Sequence, residues 1–184
     1  MPPKVTRAVS TLRTEHFQTI KRERTNKLLL TYTGHVPDPR IDAHYVDSSD
    51  AMKSYFGITY HYIIKTNGDI EVGRNPLTCS TGSRQKRFQK GAIFIGVVGG
   101  LSAETGYRKD TITPEQEASL EWLMQVISNN LGVELEVVDY IEGYGVSRSD
   151  AAGSLAARNN EVFNILYSEM TDAELEASPD RLKF

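Results

Sequence analysis

The chain has 184 residues, enough to bury a full hydrophobic core as one domain. Apolar residues make up 39% and charged residues 24%, a globular composition that excludes wholesale disorder. One cysteine, Cys79, excludes an intrachain disulfide framework and fits a reducing compartment.

The net charge of −3 is unevenly spread. Residues 1–27 carry seven Lys/Arg against two acids, leaving fourteen against twenty-two in the remainder. A basic arm over residues 1–21 is expected. Such an arm suits a nucleic acid or an acidic protein, and equally a solvated terminus. No segment approaches the length of a membrane span, and "MPPKVTRAVS" lacks the apolar centre of a signal peptide. The expectation is a protein made in the cytoplasm with no export address and no membrane partner.

Taken in order, "KLLLTYT" (27–33) is an apolar run suited to a buried strand, and "GHVPDPR" after it is a loop. A short helix is expected within 41–57. Two strands, Tyr60–Lys65 and Asp69–Gly73, flank Asn67-Gly68, a hairpin-turn signal. Alternation places Tyr60, Tyr62 and Ile64 on one face, with His61 and Ile63 on the other. Residues 75–91 are polar and basic and read as a long surface loop. "AIFIGVVGG" (92–100) has no alternation, as expected of a strand covered on both faces.

"TPEQEASLEWLMQVISNNLG" (113–132) predicts the clearest helix. Thr113 and Gln116 form a capping box, Pro114 takes the first helical position, and Gly132 sits where a C-terminal cap belongs. Leu120, Leu123, Met124, Ile127 and Leu131 make its apolar stripe. "VELEVVDYI" reads as a further strand, 154–168 as a second amphipathic helix, and Thr171 with Glu174 as the cap of a last short helix. The layout is α/β: a single domain over 22–168, with a central mixed β-sheet flanked by helices, followed by an acidic tail over 169–184.

Three segments in this order, "RERTNKLLLTYTG", "YHYIIKTNGDIEVGR" and "AIFIGVVGG" with "TPEQ" beyond it, carry a family likeness. From roughly Arg22 to Tyr167 the chain resembles the zinc N-acetylmuramoyl-L-alanine amidases of the T-odd phage lysozyme type. Those share their fold with the peptidoglycan recognition proteins. The resemblance implies a bacteriophage protein with a zinc held by two histidines and a cysteine or aspartate, one position being left for water. Such a metal lowers the water's pKa and polarises the amide carbonyl.

Compared with that pattern, the ligands are missing. Thr31 stands where the first histidine is implied, and His35, four residues on, falls in the loop. All four histidines (His16, His35, His44 and His61) precede residue 62, and the lone cysteine is Cys79. "IEGYGVSRSDAAG" aligns in two ways. One register puts Tyr144 and Ala152 at the remaining ligand positions. The other gives Glu142 and Asp150, with Arg148 at the cation position. Carboxylates alone form a hard oxygen site better matched to magnesium or calcium. Tyr60 occupies the family's active-site tyrosine position, and His61 matches a histidine outside the metal set.

The sequence therefore predicts an amidase-like scaffold that has lost its zinc site, with no cofactor, and that acts by binding. The resemblance implies a phage or host protein partner, RNA polymerase or a virion component among them, or peptidoglycan itself. Arg84, Lys86, Arg87, Phe88 and Lys90 are the partner-binding candidates. The cytoplasm of the infected cell, or the virion, is the expected location. A divergent amidase with a carboxylate-rich metal site is the alternative. Nucleic acid is a weaker fourth candidate, for want of a reading motif.

Overall fold

An apolar run without a polar break fits a strand covered on both faces, and two such runs form the centre of the sheet. The computed structural model describes residues 1–7, 24–52, 57–80, 91–132 and 134–141. Among these, the strands are β1 (Val5–Arg7), β2 (Lys27–Tyr32), β3 (Tyr62–Ile64), β4 (Ile70–Val72), β5 (Ala92–Val97) and β6 (Glu136–Asp139). The helices are α1 (Ala43–Met52) and α2 (Pro114–Leu131). The strands form one sheet in the order β1-β4-β3-β5-β2-β6. Only β3 and β4 pair antiparallel; the other neighbours are parallel. The expected mixed sheet with flanking helices is the observed architecture.

All six residues of β5 are buried, as a central strand requires. On one face Leu28, Leu30, Ile93, Ile95 and Val97 pack beneath Leu120, Leu123 and Ile127 of α2. On the other, Ile63 and Val98 meet Ala43 and Val46 of α1. Farther along that second face, Leu29, Ala92, Phe94 and Tyr140 make a separate cluster.

Caps explain where both helices begin and where α2 ends. Asp42 accepts the Tyr45 N–H at 2.9 Å, and Glu71 on β4 accepts the Ala43 N–H at 2.7 Å. Both place a carboxylate at the N-terminus of α1, where the helix dipole favours it. The Thr113–Gln116 capping box is present on α2, and Gly132 closes that helix at φ 63° in the left-handed region.

Several expectations need correction. The hairpin turn is centred one residue earlier than Asn67-Gly68. The Gly68 N–H donates to Lys65 O at 2.9 Å, so Thr66 and Asn67 are central and Gly68 follows at φ 84°. The apolar stripe of α2 stops at Ile127, since Leu131 is exposed at the last helical residue. β1 lies inside the basic N-terminal stretch, where three residues pair with β4 and extend the sheet. The helix expected over 154–168, the tail over 169–184 and most of the 75–91 loop lie outside the described residues. Among the described residues, no helix is long and apolar enough to cross a membrane.

Candidate functional site

The candidate site lies on the α1 side of the sheet, where Thr31 of β2 stands opposite Gly96 of β5. Gly96 has no side chain, and the ring of Tyr60 fills its place. A Cβ built on Gly96 would lie 2.8 Å from Tyr60 Cδ1. From there the Tyr60 hydroxyl donates to the Tyr32 carbonyl at 3.4 Å, the same oxygen that Thr31 Oγ1 approaches at 3.3 Å. Two partly buried hydroxyls thus converge on one carbonyl, in the candidate cleft.

Strict alternation put Tyr60 on the face of Tyr62 and Ile64. It lies instead with the clusters of the opposite face. The chain bends at His61, which explains the switch. Its ring Nδ1 accepts the Phe94 N–H at 2.9 Å, a donor that a strand carbonyl would otherwise take. Nε2 donates to the Thr78 carbonyl at 2.8 Å. One nitrogen donating and one accepting defines a neutral imidazole, fully buried. His61 is a structural clamp between two segments.

His35 follows β2 but turns away from the pair of hydroxyls. Its ring packs edge-on against Tyr45 of α1, with centroids 5.4 Å apart, and Nε2 is 3.4 Å from Ser49 Oγ. Beside it lies a pocket of about 540 Å3 lined by His35, Val36, Asp38, Arg40, Ile41 and Tyr45. Hydrogen bonds from Arg40 hold the exposed Asp38 carboxyl down at about 2. Ile41 also belongs to the cluster that Tyr60 packs against.

No family model matches the chain. Over 104 residues, 56% of its length, it is 26% identical to the endolysin of Escherichia phage T7, covering 67% of that protein. Over 72 residues, 39% of its length, it is 33% identical to the endolysin of Enterobacteria phage T3, covering 46% of it, less than half. Among solved structures, the endolysin and N-acetylmuramoyl-L-alanine amidase LysCS of Clostridium intestinale URNW matches at TM-score 0.55 and 18% identity, over 87% of this chain and 97% of that one. Drosophila peptidoglycan recognition protein SD matches at TM-score 0.50 and 14% identity, over 80% of each chain. The chain is thus similar in sequence to two phage endolysins, and its fold is that of the amidases and peptidoglycan recognition proteins.

For a site on this fold the test is whether its donors suit zinc. Zinc takes imidazole, thiolate or carboxylate groups, and a neutral threonine or tyrosine hydroxyl is a poor substitute. Among the described residues, no group of three or more His, Cys, Asp or Glu could hold a metal ion. The described part of the cleft does not fit zinc. Glu142, Tyr144, Arg148, Asp150 and Ala152 lie outside the described residues, as do Arg84, Lys86, Arg87, Phe88 and Lys90. β6 precedes the first group in sequence, and the Tyr140 N–H that follows it donates to Leu30 O at 3.0 Å, beside Thr31.

Other residues that support this site were not evident as such from the sequence. Asp47 and Asp50 of α1 are buried, and their carboxylates accept the backbone N–H groups of Ile58 at 2.8 Å and Thr59 at 3.0 Å. Arg74, only 2% exposed, donates to Ile58 O at 3.0 Å and Cys79 O at 3.2 Å. Together they fix the segment that delivers Tyr60. "DSSD" at helical spacing reads as a solvated face, so only the fold reveals that role.

Proposed function

We propose that this chain is a phage-type amidase homologue that binds its ligand without zinc-dependent hydrolysis. The observation that carries the reading is the convergence of the neutral Thr31 and Tyr60 hydroxyls on the Tyr32 carbonyl, at the strand position where the resemblance implies an imidazole. Hydrolysis in this family relies on a metal-bound water as nucleophile, and these hydroxyls cannot generate one at neutral pH. Peptidoglycan is the ligand we assign to the cleft. Support comes from the likeness to LysCS, an amidase, and to a peptidoglycan recognition protein. A phage or host protein, met by the basic residues between Arg84 and Lys90, is the alternative partner.

A competing reading keeps the chain as an enzyme with a carboxylate metal site from Glu142 and Asp150. What favours it is that β6, the strand before those residues in sequence, lies beside Leu30, the neighbour of Thr31.

Cosedimentation with purified insoluble peptidoglycan separates the two. Binding predicts that the protein follows the pellet and that no new alanine amino groups are released, with or without added zinc. Release of amino groups that stops on adding a chelator would establish the enzyme and overturn the proposal. Neither pelleting nor release would remove peptidoglycan as the ligand.

A further inference from the structure

A second concave pocket, of about 940 Å3, lies on the α2 side of the sheet, across it from Thr31 and Tyr60. That is the upper end of the range for small-ligand sites. One wall is a single helical face, with Glu115, Ala118 and Trp122 at spacings of three and four. The hairpin turn supplies Asn67 and Asp69, and the segment before β1 supplies Pro3 and Lys4.

The walls are pinned to one another. Ser119 Oγ donates to Gly68 O at 2.6 Å and Thr113 Oγ1 to Thr66 O at 3.2 Å, locking the turn onto α2. At Gly68 an added Cβ would lie 2.8 Å from Glu115 O, so turn and helix touch directly. The Ile70 N–H donates to Lys4 O at 2.8 Å and ties in the third wall. A pocket fixed in this way loses little entropy when it is filled.

Its chemistry narrows the occupant. Asp69 and Glu115 disfavour an anion, and the Lys4 ammonium in the same lining disfavours an organic cation. A neutral ligand with one apolar face and many hydroxyls satisfies all three. Partly exposed Trp122, with Ala118 and Pro3, offers the apolar platform, while Asn67, Asp69 and Glu115 offer the polar groups. We propose that this pocket binds a saccharide, its C–H face on the Trp122 indole and its hydroxyls on Asn67, Asp69 and Glu115. The choice of a glycan with the N-acetylglucosamine repeat as probe rests on the peptidoglycan reading above.

Trp122 is the only tryptophan, so indole fluorescence reports this pocket directly. The full chain is titrated with chitotetraose and, separately, with cellotetraose. The expected result is a saturable blue shift with chitotetraose, weakened about tenfold or more in Asp69→Ala and in Glu115→Ala, each of which removes a hydrogen bond to a charged group. No saturable change with either sugar would overturn the proposal, as would wild-type affinity in both variants. Binding of cellotetraose alone would retain the saccharide site and remove its link to peptidoglycan. Loss of the Trp122 response with cosedimentation intact removes this pocket and leaves the cleft reading. The reverse pattern removes the cleft reading and leaves the pocket.

Discussion

Gly96→Ala tests the arrangement of Thr31, Gly96 and Tyr60 most sharply. The three atoms nearest an added Cβ all belong to the Tyr60 ring, at 2.8, 2.9 and 3.0 Å. β5 is buried on both faces and cannot yield, so the ring must move and give up its 3.4 Å contact with the Tyr32 carbonyl. Overpacking of this kind costs about 1–3 kcal/mol. In a Tyr60→Ala background the clash is gone. There alanine is expected to be neutral or to gain about 0.5–1 kcal/mol over glycine within a strand. Urea denaturation of the wild type, both single variants and the double variant closes the cycle, with a coupling of at least about 1 kcal/mol. Equal cost in both backgrounds would refute the packing argument and place Tyr60 elsewhere.

Tyr32→Phe removes a hydroxyl that donates to Asp110 and accepts the N–H groups of Thr111 at 3.1 Å and Ile112 at 2.9 Å. A loss of about 1–3 kcal/mol is expected in thermal or urea melts at neutral pH. Burial first, then Asp110, raises the Tyr32 pKa well above its ordinary 10.0, so the native state holds that proton more tightly than the unfolded chain does. Its contribution is intact below pH about 10 and lost as pH rises beyond it. Stability measured across that range should fall more steeply in the wild type than in Tyr32→Phe. Gln116→Leu keeps the bulk but removes the Nε2 donor to Val98 O at 2.9 Å and the Oε1 acceptor for Thr113 N–H at 3.0 Å. A cost of about 1–3 kcal/mol in urea denaturation is expected, because the buried Val98 carbonyl loses that donor.

Local signals were legible where one residue type meets one backbone need. Thr113, Pro114, Gln116 and Gly132 each do what their positions imply, and the unbroken apolar run of β5 is buried as such a run must be. Long-range choices were not legible. Strict alternation fails at Tyr60 because a histidine ring at position 61 takes a backbone donor from β5 and turns the chain over. β1 is too short, and set among too many basic residues, to carry a period of its own. In the site, Thr31 and Tyr60 could be named from sequence, but their convergence on one carbonyl depends on Gly96, whose lack of a side chain matters only once Tyr60 lies above it. The buried roles of Asp47, Asp50 and Arg74 likewise come from backbone groups distant in sequence.

The central claim is that this amidase scaffold works without hydrolytic zinc, and metal stoichiometry tests it most directly. Protein purified without chelator and without a histidine tag is incubated with zinc, desalted and assayed for bound metal. The account predicts less than about a tenth of an equivalent, since an open catalytic site needs three suitable protein ligands. Close to about one equivalent, lost in Asp150→Ala, would contradict it and mean that carboxylates had rebuilt the site.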